Sequence, residues 1–272
     1  MKKVLTGLSN NISQHKQKIK VWSESFRKHS DGEIILIAAN ATKEDLDTLN
    51  ELNIKYFEVK VEDTYYINHK RLIHTKNFLE TCDADLFLIT DVFDVLFQAD
   101  PFTKMDTENY DLFFTAEGIL VREEPWNGDV IHKVFGDEIN TCREQEILCS
   151  GVIGGKKDAL IKLYDGMYQK CESGTDKHNI KDQAALILMI ANNQIENYQI
   201  LTLNDGWAMH CATSGPTEFF EAWGMKNVIK NRYNVPTMID NKICTSDGRM
   251  FDIVHQFNRV PEWKEILTKE YE

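Results

Sequence analysis

Short apolar segments alternate along the chain with segments whose apolar residues recur every three to four positions. Runs of consecutive apolar residues are typical of strands buried on both faces, whereas the spacing of Ile19, Trp22 and Phe26 is typical of a helix. This pattern predicts strands over residues 4–8, 33–39, 54–61, 86–90, 111–116 and 149–155. It predicts helices over residues 12–29, 42–49, 69–82, 158–171 and 182–192. Strands that alternate with helices favour a mostly parallel sheet, flanked by helices, with ligand sites at the carboxyl ends of its strands.

The chain is long enough for one large α/β domain. It has 272 residues, of which 42% are hydrophobic and only 5 are Pro, and no linker-like tract divides it. We also find no internal repeat. The sequence therefore predicts a single domain over residues 1–272. Residues 199–252 have a mixed, short-period pattern that predicts no clear element.

Charge and composition exclude several classes of partner. The formal net charge of -12 argues against broad binding to nucleic-acid phosphates, because such binding needs clustered Lys and Arg. No stretch approaches ~18 consecutive apolar residues, and the N-terminal residues lack the apolar region of a signal peptide. The 6 Cys have neither a CxxC pair nor a regular spacing, which indicates reduced thiols and does not support a zinc site. We therefore expect a soluble cytoplasmic protein with no transmembrane segment and no nucleic-acid partner.

Two carboxylates, Asp91 and Asp94, stand just after the predicted strand 86–90. A carboxylate pair at the end of a buried strand can hold Mg²⁺ or Mn²⁺ against a diphosphate. Asp83 and Asp85 match the literal D-x-D pattern, but they precede the strand and so lie at the edge of the sheet where ligands do not bind. The structural alternative is that Asp91 and Asp94 only cap loop turns. Their position after the strand favours the metal site.

Four segments, in order along the chain, resemble those of GT-A glycosyltransferases. Residues 88–98, LITDVFDVLFQ, resemble the segment in which an apolar strand runs into a D-x-x-D variant of the D-x-D metal motif. Residues 149–155, CSGVIGG, resemble the small-residue strand that borders the donor sugar and the acceptor. Asp182-Gln183 resembles a helix start of these enzymes and of the glycogenin-like family. Residues 253–259, IVHQFNR, resemble the segment whose His completes the metal site.

The resemblance implies a GT-A fold, with a Rossmann-like sheet, a nucleotide-sugar-binding half over residues 1–116 and an acceptor-binding half over residues 117–272. It implies a metal-dependent glycosyltransferase that uses Mn²⁺ or Mg²⁺. The enzyme would move a sugar from a UDP- or GDP-sugar to a hydroxyl of a glycan or glycoprotein. The metal ligands it implies are Asp91, Asp94 and His255. The motif is stretched by one residue, and Phe93 stands where related sequences often carry Arg, so which carboxylate contacts the metal directly stays open.

Donor and acceptor residues follow from the resemblance and from position. The donor residues that we predict are Thr6, Leu8, Asn10, Arg71, Asp91 and Gly151. Arg71 begins the helix before the acidic strand, where its guanidinium can contact diphosphate oxygens or simply face solvent. The acceptor residues that we predict are Asp182, Gln183 and Trp207. Trp207 offers an aromatic face to a sugar or else lies in the core, and Trp126, in a predicted loop at residues 123–126, is a similar case.

Asp182 is the candidate catalytic residue. Its carboxylate can bind the acceptor hydroxyl, orient the donor sugar or act as a general base, or it can merely cap the helix that follows. Similarity to glycogenin-like enzymes at this point favours retention of the anomeric configuration over inversion. The alternative for His255 is a hydrogen-bonded structural residue. His69 and His210 are the next candidate ligands, and both are equally compatible with surface positions.

Two other function classes use related features. A nucleotidyltransferase or phosphohydrolase also needs strand-end carboxylates and Mg²⁺. The chain, however, has no GxxxxGK[ST] P-loop, and residues 7–11, GLSNN, are neither Gly-rich nor basic. A non-catalytic sugar-nucleotide-binding or scaffold protein would keep the fold without the metal. The combination of Asp91, Asp94 and His255 favours the enzyme.

Overall fold

The strands of the main sheet come from both predicted halves of the chain in the computed structural model, which describes residues 1–215 and 235–271. In chain order the strands are β1 (Lys3–Ser9), β2 (Glu33–Ala39), β3 (Lys55–Val59), β4 (Leu86–Thr90), β5 (Val95–Phe97), β6 (Leu112–Leu120), β7 (Glu146–Lys156), β8 (Tyr198–Leu201), β9 (Ala208–His210), β10 (Thr237–Ile239), β11 (Lys242–Cys244) and β12 (Ile253–His255). Seven of them form one sheet in the order β3-β2-β1-β4-β7-β6-β8. Among its described strands, β7 alone runs antiparallel to its neighbours. The predicted mostly parallel sheet is confirmed.

Helices cover both faces of the main sheet. They are α1 (Lys16–His29), α2 (Lys43–Glu51), α3 (Ile67–Thr81), α4 (Pro125–Phe135), α5 (Ile139–Cys142), α6 (Lys157–Ser173), α7 (Asp182–Ala191), α8 (Cys211–Ser214) and α9 (Pro261–Thr268). On β1, Val4 packs in one buried cluster with α3, α6 and α7, and the next residue, Leu5, packs in another with α1 and α2. Successive strand residues face opposite sides, so the sheet is the middle layer of a single mixed α/β domain. No helix within the described ranges is long and apolar enough to cross a membrane.

The long predicted elements are present, whereas the irregular parts differ. The helix predicted over residues 42–49 is α2, and Thr42 and Asp45 form the capping box at its start. The loop predicted at residues 123–126 is wrong, because Glu124 caps α4 and Pro125 occupies its first turn. Within the weakly patterned region 199–252, residues 216–234 lie outside the described residues.

A second sheet joins the C-terminal part of the chain to the turn after β4. Its order is β5-β12-β9, with β12 antiparallel to β5 and parallel to β9. The register places His255 opposite Val95 and beside His210. Because Val95 directly follows Asp94, this pairing brings His255 to the end of β4.

Gln98 holds this small sheet in place from a buried position. Its side-chain amide donates to Ile243 O and Phe251 O at 3.0 and 2.8 Å, and its Oε1 accepts from Ile243 N at 2.9 Å. Its backbone N donates to Asp252 O at 2.7 Å. A buried amide without such partners would lower the stability of the folded protein. These bonds therefore fix residues 243–252 against β5, the strand that follows residues 91–94, which we call the acidic turn.

Gly7 lets β1 approach the end of β4. A Cβ on Gly7 would lie 2.3 Å from Thr90 O and 2.7 Å from Val92 Cγ2. Thr90 and Val92 flank Asp91, so a side chain at Gly7 would displace the start of the acidic turn.

Gly7→Ala is expected to destabilise the protein by about 1–3 kcal/mol, because the atom nearest to the added methyl group is a backbone oxygen, which cannot move aside as a flexible side chain can. Gly128→Ala is the matched control, since its Cβ would come no closer than 3.4 Å to Val121 O. Within α4 that change is expected to be neutral or to stabilise by up to about 1 kcal/mol. Urea unfolding measures both variants, and a Gly7→Ala protein as stable as wild type would contradict the close approach.

Candidate active site

Asp91, Asp94 and His255 converge at the carboxyl end of β4 and form what we call the metal triad. Asp91 directly follows β4, Asp94 directly precedes β5, and His255 ends β12. One ligand atom from each residue lies within 4.8 Å of the others. His255 Nε2 is 3.3 Å from Asp91 Oδ2 and 3.7 Å from Asp94 Oδ1. The strand-end position that selects the two carboxylates in the sequence therefore places them beside the predicted His.

Main-chain hydrogen bonds hold the metal triad together. Gln256 N donates to Asp94 O at 2.6 Å, which ties the end of β12 to the acidic turn. Asp91 N donates to Gly151 O at 2.9 Å, which ties the same turn to β7. The end of β12 and strand β7 thus position the two carboxylates.

The metal triad fits a divalent cation. Carboxylates are preferred ligands of Mg²⁺ and Mn²⁺, and imidazole is a common ligand of transition metals, so these residues are chemically suited to Mn²⁺ or Mg²⁺. His255 Nε2 is buried and has no hydrogen-bond partner among the described residues. Gly151 leaves the necessary room, because a Cβ there would lie 2.7 Å from both Asp91 Oδ2 and His255 Cε1.

Electrostatic interactions make the metal triad attractive to positive charge. Burial opposes ionisation of Asp91, yet Arg71 and His255 hold the pKa of its carboxyl well below its usual range. Burial raises the pKa of Asp94, and the neighbouring Asp91 adds to the rise. Burial lowers the pKa of His255, but Cys149, Asp91 and Asp94 outweigh it and hold that pKa well above its usual value. A proton or a cation relieves the same concentration of negative charge.

Arg71, from α3, connects the metal triad to Asp182. Its Nη1 donates to Asp91 Oδ1, and its Nη2 donates to Asp182 Oδ2 at 2.5 Å. Burial lowers the pKa of Arg71, but the two carboxylates more than compensate and raise it above its usual value. Its side chain is only 20% exposed, so the alternative of a solvated helix-start cation is wrong. A contact of Arg71 with a diphosphate stays a prediction.

Asp182 is almost fully buried at the start of α7. Its Oδ2 accepts from Arg71 and, at 3.1 Å, from the hydroxyl of Ser150. Its Oδ1 is buried and has no hydrogen-bond partner among the described residues. The N-cap of α7 is Lys181, so Asp182 does not have the capping role that was its structural alternative. One carboxylate oxygen is therefore left to bind a ligand.

Gln183 organises a second buried polar cluster. Its Oε1 accepts from Ser150 N at 3.3 Å, and its Nε2 donates to Asn127 Oδ1 at 2.9 Å and to Glu117 Oε1 at 3.5 Å. Burial raises the pKa of Glu117 to about 7. The sequence reasoning missed Glu117 and Asn127. The available signal for Glu117 was a lone carboxylate within the otherwise apolar strand β6.

A cavity of about 410 Å³ connects these groups. The predicted residues that line it are Arg71, Asp91, Gly151, Asp182, Gln183 and His255. Residues that the sequence reasoning did not assign also line it, and these include Asn68, Glu117, Glu124, Asn127, Ser150 and Arg259. The cavity therefore joins Asp91 and His255 of the metal triad to both buried polar clusters, whereas Asp94 does not line it.

A larger groove, of about 830 Å³, lies at the amino end of β4. It is lined by residues that include Asp85, Asp111 and Lys156. Lys156 pairs with Asp111 at 2.6 Å, so these charges satisfy each other. The smaller cavity is the candidate active site because its lining includes Asp182 and His255, each of which has a buried polar atom with no hydrogen-bond partner among the described residues.

Trp207 and Trp126, for which the sequence left both an exposed and a buried position open, differ in environment. Trp207 is fully buried, and its Nε1 donates to Pro101 O at 2.8 Å. The prediction that Trp207 offers a face to the acceptor is wrong, because neither face of the ring is exposed. Trp126 is 45% exposed and lines the cavity, with its ring edge-on to His178 at 5.9 Å. Trp126 thus provides an aromatic surface beside Gln183.

Thr6 lies in the middle of β1 beside β4, Leu8 lies near the end of β1, and Asn10 directly follows the strand. Thr6 is fully buried, so the structure does not support a direct donor contact there. Leu8 is half-buried against the core, and Asn10 is half-buried just past the strand. These three residues do not line the 410 Å³ cavity. Donor binding by Leu8 and Asn10 stays a prediction.

His210 and Cys149 lie directly behind His255. The surface positions considered for His69 and His210 are wrong, because both side chains are buried. His210 Nδ1 is 2.9 Å from His255 Nδ1, and His210 Nε2 is 3.1 Å from Thr115 Oγ1. Cys149 Sγ is 3.4 Å from His255 Nδ1. His255 thus directs Nε2 towards Asp91 and Asp94, and Nδ1 towards the buried His210 and Cys149.

The chain has the fold of the GT-A glycosyltransferases. Among solved structures it is similar to the galactosyltransferase LgtC in complex with donor and acceptor sugar analogs. The TM-score is 0.55 at 11% sequence identity, over 98% of this chain and 95% of that chain. An active-site mutant of LgtC is similar with a TM-score of 0.56 at 10% identity, over 98% of this chain and 95% of that chain. No protein-family model matches the chain, and no curated protein matches it in sequence.

Glu117→Gln is expected to remove a pH-dependent loss of stability. The pKa of Glu117 is about 7 in the folded protein, against an ordinary value of 4.5, so the unfolded chain releases this proton first as the pH rises. Stability from the protonated carboxyl is complete below pH 4.5 and is lost as the pH rises through 7. Relative to wild type, the variant should gain roughly 2–3 kcal/mol between pH 5 and pH 8. Urea unfolding in EDTA at both pH values measures the gain, and a difference independent of pH would contradict it.

Proposed function

We propose that this protein is a metal-dependent glycosyltransferase that moves a sugar from a UDP- or GDP-sugar to a hydroxyl of a glycan or glycoprotein. The observation that carries the proposal is one cavity lined by two residues of the metal triad, Asp91 and His255, and by the buried carboxylate of Asp182. Glycosyl transfer needs positive charge for the departing diphosphate and a polar group for the reacting sugar hydroxyls. The fold shared with LgtC, described with donor and acceptor sugar analogs, supports the same reaction class.

We place the donor on the side of the cavity formed by Arg71, Asp91 and Gly151. A cation held by the metal triad would supply the charge that stabilises the nucleoside diphosphate as it leaves. Arg71 keeps part of its guanidinium side chain exposed to the cavity, where it can donate to diphosphate oxygens. Leu8, near the end of β1, and Asn10, just after that strand, are the residues that we propose for the nucleotide base.

We place the reacting sugars between Asp182 and Trp126. Asp182 Oδ1 can accept a hydrogen bond from a sugar hydroxyl or take its proton, and the bonds from Arg71 and Ser150 to Oδ2 hold the carboxylate in one orientation. Gln183 lines the same wall, and the exposed ring of Trp126 offers a stacking surface for the acceptor. The Asp-Gln start of α7 favours retention of the anomeric configuration.

Differential scanning fluorimetry with a panel of nucleotide sugars tests the donor site. A donor at about 100 times its Kd stabilises the folded state by about 2.7 kcal/mol when it binds that state alone. Wild type with Mn²⁺ is expected to show this shift with one UDP- or GDP-sugar, because the metal triad and the diphosphate share the cation. EDTA and Asp94→Ala are each expected to abolish the shift.

Asp83→Ala is the matched control for this experiment. Asp83 belongs to the literal D-x-D sequence, but it is exposed at the other end of β4, so the shift should survive its removal. A shift indifferent to EDTA and to Asp94→Ala, or no shift with any donor, would sink the metal-dependent donor site.

Asp182→Asn is expected to lower kcat by about 10²–10⁴-fold, because the amide keeps the size of the side chain but loses its charge and its basicity. The metal-dependent melting shift with the donor should remain. Release of nucleoside diphosphate from the donor identified above measures kcat. Asp158→Asn, which alters an exposed Asp in the first turn of α6, is the control. An unchanged kcat in Asp182→Asn would remove this residue from the mechanism.

A further inference from the structure

Two imidazoles face each other behind the metal triad. The parallel register of β9 and β12 places His210 beside His255. Their Nδ1 atoms are 2.9 Å apart, their rings are at 89° to each other, and both side chains are buried. A nitrogen-to-nitrogen contact of this length is a hydrogen bond, so one Nδ1 carries a hydrogen and the other accepts it.

The direction of this hydrogen bond follows from the metal triad, and this step rests on the proposed function. A cation can bind His255 only through the lone pair of Nε2, so the hydrogen of the neutral ring must be on Nδ1. His255 Nδ1 then donates to His210 Nδ1. The hydrogen of His210 is consequently on Nε2, where it can be donated to Thr115 Oγ1 at 3.1 Å.

We propose that His210 is a positioning residue that keeps His255 in the tautomer required for metal binding. In the other tautomer, His255 would direct an Nε2 hydrogen towards Asp91 and Asp94, whose nearest oxygens are 3.3 and 3.7 Å away. That hydrogen would occupy the direction from which the cation binds. By accepting from Nδ1, His210 stabilises the productive tautomer and fixes the plane of the ring. Such partners of metal-bound His residues commonly contribute to metal affinity.

A second metal ion among Cys149, His210 and His255 is the competing interpretation, because their ligand atoms are also clustered. The distances disfavour it. Two imidazole nitrogens bound to one tetrahedral zinc at about 2.05 Å are about 3.3 Å apart, which is longer than the hydrogen-bonded separation of His210 and His255. His255 would also have to surrender its last ring hydrogen to bind one ion on each nitrogen. The geometry therefore favours the hydrogen bond.

The affinity of the full chain for Mn²⁺, without donor or acceptor, tests the positioning role. The electron paramagnetic resonance signal of free Mn²⁺ gives the Kd in a titration. His210→Leu removes the acceptor and is expected to raise the Kd about 10- to 100-fold. His210→Asn places an amide oxygen near the position of Nδ1, so it should keep the Kd close to that of wild type. Thr115→Val, which removes the partner of His210 Nε2, should raise the Kd by a smaller factor.

Equal Kd values for wild type and His210→Leu, or equal losses for His210→Leu and His210→Asn, would overturn the positioning role. Melting temperatures in EDTA show whether each variant folds. If His210→Leu does not fold, nitrogen-15 NMR of wild type with Mg²⁺ supplies the test. Hydrogens on His255 Nδ1 and His210 Nε2 are expected, and the reverse assignment would overturn the proposal.

Two further outcomes separate this proposal from its alternatives. One equivalent of zinc that survives dialysis and is lost in Cys149→Ser would overturn the hydrogen bond in favour of a buried metal site. Failure of wild type itself to bind Mn²⁺ would instead remove the metal triad, and the proposed function with it. If wild type and His210→Leu both bind Mn²⁺ tightly, only the positioning role of His210 is overturned, and the proposed function is unaffected.

Discussion

The antiparallel pairing of β12 with β5 is the interaction on which the candidate active site depends. Side chains alternate between the two faces of a strand, so a slip of one residue would turn His255 away from Asp94. The register is maintained largely by groups outside the metal triad. These are the backbone N–H of Gln256, which donates to Asp94 O, and the buried side chain of Gln98. The metal triad is therefore a property of backbone pairing as much as of its three side chains.

The candidate site concentrates buried polar groups in a domain whose core is mainly apolar. Arg71, Asp91 and Asp182 lose hydration on folding, and their mutual attraction has to offset that cost before it can stabilise the fold. Asp182 and Gln183 begin a helix in which Ala184 to Ile190 are all buried. Hydrophobic packing beneath the site thus supplies stability that the polar groups do not, and it keeps them in fixed orientations.

Periodic segments and strand ends are the features that the sequence reveals best. The apolar run of β4 is long enough to identify, so Asp91 and Asp94 could be placed at a ligand-binding edge without a structure. Asp182 and His255 depended on the order of resembling segments. Strands of three residues, such as β5, β9 and β12, are too short for a period to be visible, so the position of His210 could not be predicted.

Burial of individual residues was harder to predict than the elements that carry them. Trp207 and Trp126 are chemically identical, but the carbonyl of Pro101 receives the indole of Trp207 inside the core while Trp126 stays exposed. Glu117 was overlooked because a carboxylate in an apolar strand has no local partner in sequence. Its neighbour Gln183 belongs to a distant helix, so only tertiary structure brings the two together.

The wide spacing of the proposed metal ligands along the chain has a consequence for biosynthesis. A nascent chain that has emerged only as far as β5 carries Asp91 and Asp94 but not the imidazole that completes the set. The last ligand arrives with β12, after every strand of the main sheet has been synthesised. For the proposed metal site, capture of the cation would therefore be a late event of maturation, and translation fragments that stop before residue 255 carry an incomplete ligand set.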